Sequence, residues 1–476
     1  METQLSDFLV KTRPSIKKLV DILSKHYKYV SILGSDTCGK TFEVSKTSTN
    51  LKDSFWNERG FVLRVHNGIN YSEYSFNEID PKRIEEMAKD IMEKIDYELN
   101  IMKNLKTEIS PYEVIEEEST QKTFTESLKL DFNSISQKDV LLKLTSIKDK
   151  ALSISESVLD FIINLNFVKV SKIFISKDKD LAQSYPFSDA TLFSLARYES
   201  KTKFYYKTFS GLKGLEILEE LDSEVKSVVD TSIELLNSVS VEPSLYDVIC
   251  NPSVSGIIAH EAFGHGVEMD MFVKNRAMAK EYMGKQVASK VTTMHDGSRS
   301  CKEVSSYYFD DEGVLGGDTT VIDKGILKNG FSDTLSALKL GIKPSGNGKR
   351  ESFERKAYAR MTNTFFEKGN DDLKDMIASI KHGYLLECPQ GGMEDPKNWG
   401  IQCIVTLGRE IKDGKLTGKL VSPVILTGYV PDLLKSISMV SSDMELSGSG
   451  ACGKGYKEYV KVSCGGPYIK AKVRLG

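Results

Sequence analysis

The first half of the chain contains several segments in which apolar and polar residues alternate, which is the pattern of half-buried strands. Residues 29–33 and 40–49 are predicted to be two paired strands, with the turn between them centred on Gly39. Residues 60–76 predict a β-hairpin that turns at Asn67-Gly68, because this dipeptide suits the tight turns that join antiparallel strands.

Other segments of the same half have apolar residues at helical spacing. An amphipathic helix is predicted within residues 1–24, and a second begins at Pro81 and continues to residue 95. Two further helices are predicted, from about Gln137 to Leu165 and over residues 224–238. The first half is therefore predicted to consist of a series of strand-helix units.

The second half has more glycine and more strand-like alternation. It opens with an apolar strand over residues 245–250, followed by a helix that Asn251 caps and Pro252 begins. Later segments alternate around glycine turns and predict antiparallel sheet. We therefore predict an α+β fold, with an N-terminal α+β domain over residues 1–240 and a C-terminal, β-rich domain over residues 241–476 that carries the functional helix.

Composition narrows the class of protein. The 476 residues include 64 basic and 67 acidic side chains, for a net charge of −3, which gives no electrostatic reason to expect direct nucleic-acid binding. Apolar runs stay below the roughly 18 residues of a membrane span, and the N-terminus lacks the apolar block of a signal peptide. The seven scattered cysteines do not suggest a disulfide framework. We expect a soluble, cytoplasmic protein that does not associate with membranes.

Two glycine motifs resemble nucleotide-binding loops. Residues 34–41, GSDTCGKT, have the spacing of a phosphate-binding loop, and residues 448–453 match GxGxxG. Both motifs require a helix directly afterwards, because the phosphates bind at the amides of the helix N-terminus. Strand-like sequence follows each of them here, so we predict turns in place of nucleotide sites.

The helix that begins at Pro252 contains the strongest chemical signal, HEAFGH over residues 260–265. In a regular α-helix, His260 and His265 would point about 140° apart, and they could not bind the same metal ion. A shared ion requires the helix to widen into a π-type turn or to end, and the flanking Gly264 and Gly266 permit either. Two core or surface histidines are the alternative.

Neighbouring residues favour the metal site. Glu261 is placed where a general base could take a proton from water at the metal. A catalytic zinc site has three protein ligands and one open position, and zinc accepts thiolate as well as imidazole. Cys452, Cys250, Cys301 and Cys388 are all possible third ligands by this argument, and Glu268 is a rival carboxylate ligand.

The second half also resembles the TldD/PmbA family of metalloproteases, specifically the TldD branch, which retains HExxxH. The resemblance covers roughly residues 245–470, whereas the first half agrees only in its strand-helix pattern and in GFVLRVHNG. Two segments depart from the family pattern, ECPQGGMEDPKNWGIQ at residues 387–402 and GKGYKEYVKVSCGGP at residues 453–467, and these departures leave the substrate preference open. The segments that carry the resemblance are AHEAFGHGVEMD, DDEGVLGGDTTVIDKGILKNGF, PSGNGKRES, ARMTNTFFEKGN, ISMVSSDMELSGSGACGKG and GGPYIKAKV.

The resemblance implies metal ligands at His260, His265 and Cys452, with Glu261 as the catalytic base. It implies one divalent metal ion per chain, zinc with iron as the alternative, and hydrolysis of short or unfolded peptides. It also implies a dimer, formed by two copies or with a PmbA-type subunit. The competing hypothesis is a non-catalytic, peptide-binding or regulatory subunit of such a complex.

Two arginines could serve either function or structure. Arg350 and Arg360 could hold a substrate chain or an oxyanion, or they could form buried ion pairs that organise the sheet. The acidic run Asp310-Asp311-Glu312 precedes Gly313 and could be a simple acidic turn. The sequence does not decide between these roles.

Overall fold

A computed structural model of the chain describes residues 2–104, 109–454 and 457–476. It confirms the α+β fold class, with helices gathered mainly in the first half and sheet dominating the second. Within these residues, no helix combines the length and the apolar character that crossing a bilayer requires. The α-helices are α1 (Asp7–Leu23), α2 (Ile84–Asn104), α3 (Gln137–Leu152), α4 (Ile217–Glu234), α5 (Pro252–Ile257), α6 (Met269–Val273), α7 (Thr334–Leu340), α8 (Leu373–Ala378) and α9 (Val430–Ser436).

An eight-stranded, mostly antiparallel sheet forms the first half, in the order β4-β3-β1-β6-β7-β5, with β2 added to β1 and β8 added to β7. Helices α1 and α2 cover one part of it and α3 and α4 another, and each pair closes an apolar core with the strands beneath. The strands are β1 (Val30–Val44), β2 (Thr49–Asp53), β3 (Glu58–His66), β4 (Tyr71–Phe76), β5 (Thr120–Thr125), β6 (Val158–Ser176), β7 (Lys179–Tyr198) and β8 (Lys201–Gly211).

The second half contains an eleven-stranded sheet and two short hairpins, β13-β14 and β21-β22. Its strands are β9 (Ser244–Cys250), β10 (Met294–Asp296), β11 (Thr319–Asp323), β12 (Ile326–Leu327), β13 (Gly348–Lys349), β14 (Tyr358–Ala359), β15 (Asn363–Phe366), β16 (His382–Asp395), β17 (Gly400–Lys412), β18 (Lys415–Val421), β19 (Val424–Tyr429), β20 (Met439–Ser447), β21 (Ala451–Lys454), β22 (Lys457–Lys461) and β23 (Ser463–Leu475). Single turns of other helix types occur at Phe132–Ser134, Leu235–Asn237, Ile258–Gly264, His265–Val267 and Met278–Tyr282.

Five strands of the larger sheet close into a ring. β9 pairs with β16 on one side and with β23 on the other, and β17 and β19 complete the circuit. Helix α5 packs against this ring with close backbone contact, since a Cβ at Gly256 would lie 2.5 Å from the Cα of Gly465 in β23. The ring therefore holds the start of the functional helix in a fixed position.

The two halves share buried apolar contacts. Val304 and Tyr307 from the second half pack with Val168 and Phe187 of the first sheet. Phe309 packs in a neighbouring cluster with residues of β1, β3, β6 and β7. The face of the first sheet that the helices leave uncovered is therefore buried by the second half.

Two predicted elements of the first half are wrong. The strands predicted on either side of Gly39 are a single strand, β1, and a Cβ at Gly39 would lie 2.3 Å from the carbonyl oxygen of Phe167 in β6. The helix predicted as far as Leu165 ends at Leu152, and residues 158–165 begin β6. Phe161, Ile163 and Leu165 are buried at the two-residue spacing of a strand, beneath α3 and α4.

Candidate functional site

The helix that carries the two histidines changes its winding along its length. The Asn251 side chain accepts a hydrogen bond from the Val254 amide at 3.0 Å, and α5 begins at Pro252 as the sequence predicts. From Ile258 to Gly264 the chain forms a π-helical turn, and from His265 to Val267 a 3₁₀ turn. The π turn brings residues five apart to the same side, so His260 and His265 face each other with ring centroids 5.1 Å apart.

Cys452 completes a compact group of three donors. Its sulfur lies 3.3 Å from His260 Nε2 and 3.5 Å from His265 Nε2. The three donor atoms lie within 4.8 Å of one another, which is close enough to bind one ion. Two imidazole nitrogens and one thiolate match the donors that zinc prefers, and no other such group of three occurs among the described residues.

Cys452 is on strand β21, not in the glycine-cradled turn that the sequence suggests. It faces Val460 across the β21-β22 hairpin. The buried Arg360 donates hydrogen bonds to the Cys452 carbonyl oxygen, at 2.7 Å, and to the Glu458 carbonyl oxygen of β22. Arg360 therefore fixes both strands of the hairpin and, through them, the position of the sulfur.

Charges within the group stabilise the thiolate. Burial opposes ionisation of Cys452, but the two imidazoles hold the pKa of the thiol well below its usual range. Burial likewise disfavours the charged form of His265, yet Cys452 and Glu268 raise its pKa well above the ordinary value. The group therefore favours Cys452 as a thiolate, the form of cysteine that binds a metal ion.

Glu261 lies between the two histidines. Its carboxylate oxygens are 4.0 Å from His260 Nε2 and 3.9 Å from His265 Nε2. Burial raises the pKa of Glu261, while the two histidines lower it. A Cβ at Gly392 would lie 2.9 Å from Glu261 Cγ, so the absence of a side chain at residue 392 allows β16 to pack over this carboxylate.

Glu268 contacts the opposite side of His265. Its Oε2 is 3.5 Å from His265 Nδ1, and the same carboxylate contacts Lys454 at 3.0 Å and Arg360 at 3.5 Å. Glu268 approaches the ring nitrogen of His265 that faces away from Cys452, and it is not one of the three clustered donors, so its contacts fit a positioning role better than that of a rival ligand. Lys454, Arg360 and His265 hold the pKa of Glu268 below its usual range, although burial opposes this.

We expect Glu268→Gln to weaken metal binding by about tenfold to a hundredfold, the usual effect of losing a carboxylate partner of a ligand histidine. The reason is that a neutral amide holds the Nδ1 proton less firmly and lowers the basicity of Nε2. The measurement is competition with a chromogenic chelator, with thermal unfolding of the metal-free protein as a check on folding.

Asp270→Asn is the matched control for this test. Asp270 contacts the same Lys454, at 2.7 Å, and no contact links it to His265 among the described residues. Equal metal affinities of the Glu268→Gln variant and the unchanged protein would contradict the positioning role.

A cleft of about 850 Å³ opens over the three donors. Its walls come from both halves: β8 of the first half, the β16-β17 hairpin, β20 and the β21-β22 hairpin. The first of the two segments that depart from the family pattern supplies residues 387–394 and Pro396 to the lining. This segment therefore lies where it can contact a substrate.

The structure adds Glu394 to the residues that the sequence singled out. Both of its carboxylate oxygens are buried, and neither accepts a well-directed hydrogen bond from a described residue. Burial raises the pKa of Glu394 well above its usual range, while His265 and the Gly266 amide lower it. The sequence showed only two adjacent acidic residues, Glu394 and Asp395, with nothing to indicate which one faces the cleft.

Arg350 and the acidic run lie at the interface between the halves, away from the three donors. Arg350 donates to both oxygens of Glu73, at 3.0 and 2.5 Å, and Glu312 contacts Arg64. Asp310 and Asp311 are buried with Glu312, so the run is not a solvated turn. For Arg350, as for Arg360, the contacts in the described part of the chain are those of a buried structural residue.

Comparison with known proteins identifies relatives of this chain. The sequence profile of the PmbA/TldA metallopeptidase C-terminal domain matches residues 243–474. A protein named metalloprotease from Methanothermobacter thermautotrophicus is 30% identical over 275 residues, which cover 57% of this chain and 60% of that protein. A zinc metalloprotease TldD homologue from Saccharolobus solfataricus is 34% identical over 228 residues, which cover 48% of this chain and 50% of that protein. The matches thus span about half to three fifths of these curated relatives.

Solved structures resemble the whole chain. One, titled a modulator of a DNA gyrase from Thermotoga maritima, superposes with a TM-score of 0.76 over 98% of this chain and 100% of its own, at 16% identity. TldE from Thermococcus kodakarensis gives a TM-score of 0.73 over 97% of this chain and 100% of its own, at 17% identity. These likenesses establish a common fold.

Proposed function

Because this chain belongs to the TldD/PmbA family, we propose that it is a metal-dependent peptidase that hydrolyses short or unfolded peptides. The observation that carries the proposal is the convergence of His260, His265 and Cys452 around one point, with Glu261 beside them and an open cleft above. Relatives named metalloproteases support the general class of activity.

His260, His265 and Cys452 would hold one divalent ion, zinc or alternatively iron. Such an ion supplies Lewis acidity, which lowers the pKa of water and polarises a carbonyl group. Glu261 lies next to both histidines and is positioned to take a proton from the attacking water and to deliver it to the leaving amine.

The substrate would bind as an extended chain. From Gly391 to Glu394, β16 pairs with β17 on one side, and in the described residues its pairing with β9 extends only from Gly383 to Leu386. A peptide backbone can add to such an edge with little regard for its sequence, which suits a peptidase that acts on unfolded peptides.

The proposal includes a partner subunit. The family suggests that the active species is a dimer, of two copies or with a PmbA-type subunit. Since the cleft walls come from several separate segments, a second subunit could complete them without supplying a metal ligand.

We expect the full chain, loaded with zinc, to cleave a flexible, unstructured peptide and to stop when a strong chelator removes the metal. Mass spectrometry of the products would give the bonds that are cleaved, and re-addition of zinc or iron would identify the metal that restores cleavage. The physical reason is that the three donors form one metal site, so removal of its ion removes the Lewis acid that would activate water and the peptide carbonyl.

The alternatives give different results in this experiment. Fragments that form equally well with chelator would contradict a metallopeptidase. Absence of fragments with one metal ion bound per chain would indicate that catalysis needs a partner subunit, and absence of both fragments and metal would support a non-catalytic binding subunit.

A further inference from the structure

Glu394 is a buried carboxylate in a wall of the cleft, and its two oxygens lack a hydrogen bond of good geometry. Native proteins pair such groups with hydrogen-bond donors or cations, because burying a carboxylate alone costs several kcal/mol or forces its neutralisation. No described residue supplies a well-directed donor to either oxygen. A buried polar group that the chain itself leaves unsatisfied is a group that a ligand can satisfy.

The strand that carries Glu394 runs directly past the catalytic helix. Gly392 packs against Glu261, and two residues further along the same face of β16, the Glu394 carboxylate packs against Gly266. A Cβ at Gly266 would lie 2.8 Å from Glu394 Oε1, so the carboxylate rests on bare helix backbone beside His265. Two residues of a strand span about 7 Å. Glu394 therefore lies about one or two residues of an extended substrate away from Glu261.

The lysines that line the cleft already have acidic partners. Lys207 contacts Glu224 at 2.9 Å, and Lys454 contacts Glu268 and Asp270. Among the described lining residues, His265 alone lowers the pKa of Glu394 by its charge, and its two ring nitrogens already contact Cys452 and Glu268. A second lining carboxylate, Glu445, has no ion-pair partner among the described residues, and glutamates outnumber lysines in the lining of the cleft.

From this arrangement we propose that Glu394 is a specificity-determining residue that binds a cationic group of the substrate next to the bond that is cleaved. The proposal rests on the peptidase function proposed above and adds the substrate class, peptides with an ammonium or guanidinium group at this position. The cation reaches the carboxylate by rotation of the Glu394 side chain or through one bridging water.

Two parts of a peptide can supply this cation, a free α-amino group and a lysine or arginine side chain. Both form charge-assisted hydrogen bonds with a carboxylate, and these are the stronger hydrogen bonds in proteins. The two sources predict different cleavage products, since an α-amine directs cleavage to the first bonds of the chain and a side chain directs it to internal bonds.

The test uses the metal-loaded full chain and four flexible peptides of equal length. They carry a central lysine or a central norleucine, each with a free or an acetylated N-terminus. We expect kcat/KM to be about tenfold higher for a peptide with the cation than for its neutral match, the ratio that one hydrogen bond to a charged group provides. In Glu394→Gln this preference falls to within about twofold, because the amide has the same shape without the charge.

Asp395→Asn is the matched control. Asp395 is the next residue of the strand, is exposed, and bonds to Asn398 in its own turn, so its neutralisation should leave the preference intact. A preference that persists in Glu394→Gln, or that is missing from the unchanged protein, would overturn the proposal.

A binding measurement separates this proposal from the peptidase function. The same peptides are titrated against Glu261→Gln and against the Glu261→Gln, Glu394→Gln double variant. Tighter binding of the cationic peptides that disappears in the double variant supports the role of Glu394 even if no peptide is ever cleaved. Equal affinities for cationic and neutral peptides would overturn it, whatever the outcome of the cleavage assay.

Discussion

Replacing Glu261 with glutamine is expected to reduce peptide cleavage by about a hundredfold to ten-thousandfold, the range that a general base contributes. Glutamine has nearly the same volume, so it fits beneath Gly392 as glutamate does, but it cannot accept the proton from water. The three donor atoms are untouched, and the variant should therefore still bind one metal ion per chain. Cleavage is followed by mass spectrometry, and metal content by elemental analysis of the same sample.

Asp395→Asn again provides the control, because it removes an exposed carboxylate close to the cleft and should cleave at the normal rate. Two outcomes would contradict the role of Glu261. Cleavage within about tenfold of the unchanged protein would mean that another group takes the proton. Loss of the metal along with activity would mean that Glu261 contributes to binding the ion.

The second large effect is expected for Cys452→Ala. Loss of a residue that merely supports a ligand lowers metal affinity by about tenfold to a hundredfold, so loss of a direct ligand should exceed a hundredfold. Removal of the thiolate leaves only two imidazoles, an incomplete site for zinc. The measurement is chelator competition, accompanied by circular dichroism to show that the fold is kept.

Cys464→Ala is the matched control for the cysteine. Cys464 also lines the cleft and is partly buried, but it does not belong to the group of three donors. Its removal should leave metal affinity unchanged. If Cys452→Ala retained normal affinity while Cys464→Ala lost it, the third ligand would have been assigned to the wrong cysteine.

Features that neighbouring residues determine could be predicted from the sequence. Asn251 and Pro252 indicate the start of a helix by their own cap and first-turn preferences, and α5 begins at Pro252. The five-residue spacing of His260 and His265 demands a widened turn if one ion is shared, and the π turn occurs at that position. Both inferences depend on fewer than twenty consecutive residues.

The sequence did not predict features that depend on contacts between distant segments of the chain. Residues 158–165 are apolar enough for a helix, and their pairing with β7 selects the strand. The residues around Cys452 do not distinguish it from the other cysteines as the third donor. Cys452 reaches the histidines because of where the β21-β22 hairpin docks. The direction of Glu394 depends on the register of β16, which a bulge between Pro389 and Gly391 shifts. Strand pairing, hairpin docking and strand register depend on tertiary contacts, which a single sequence does not show.

The separation of the donors along the chain has a consequence for biosynthesis. His260 and Cys452 are 192 residues apart, and the ring that holds the helix is closed by β23 at the C-terminal end of the described chain. A nascent chain that ends before residue 452 has two of the three donors, so we expect it to retain zinc poorly and to be hydrolytically inert. The proposed metal site can therefore form only after residue 452 has been synthesised and the β21-β22 hairpin has docked, and we expect shorter nascent chains to be unable to cleave peptides.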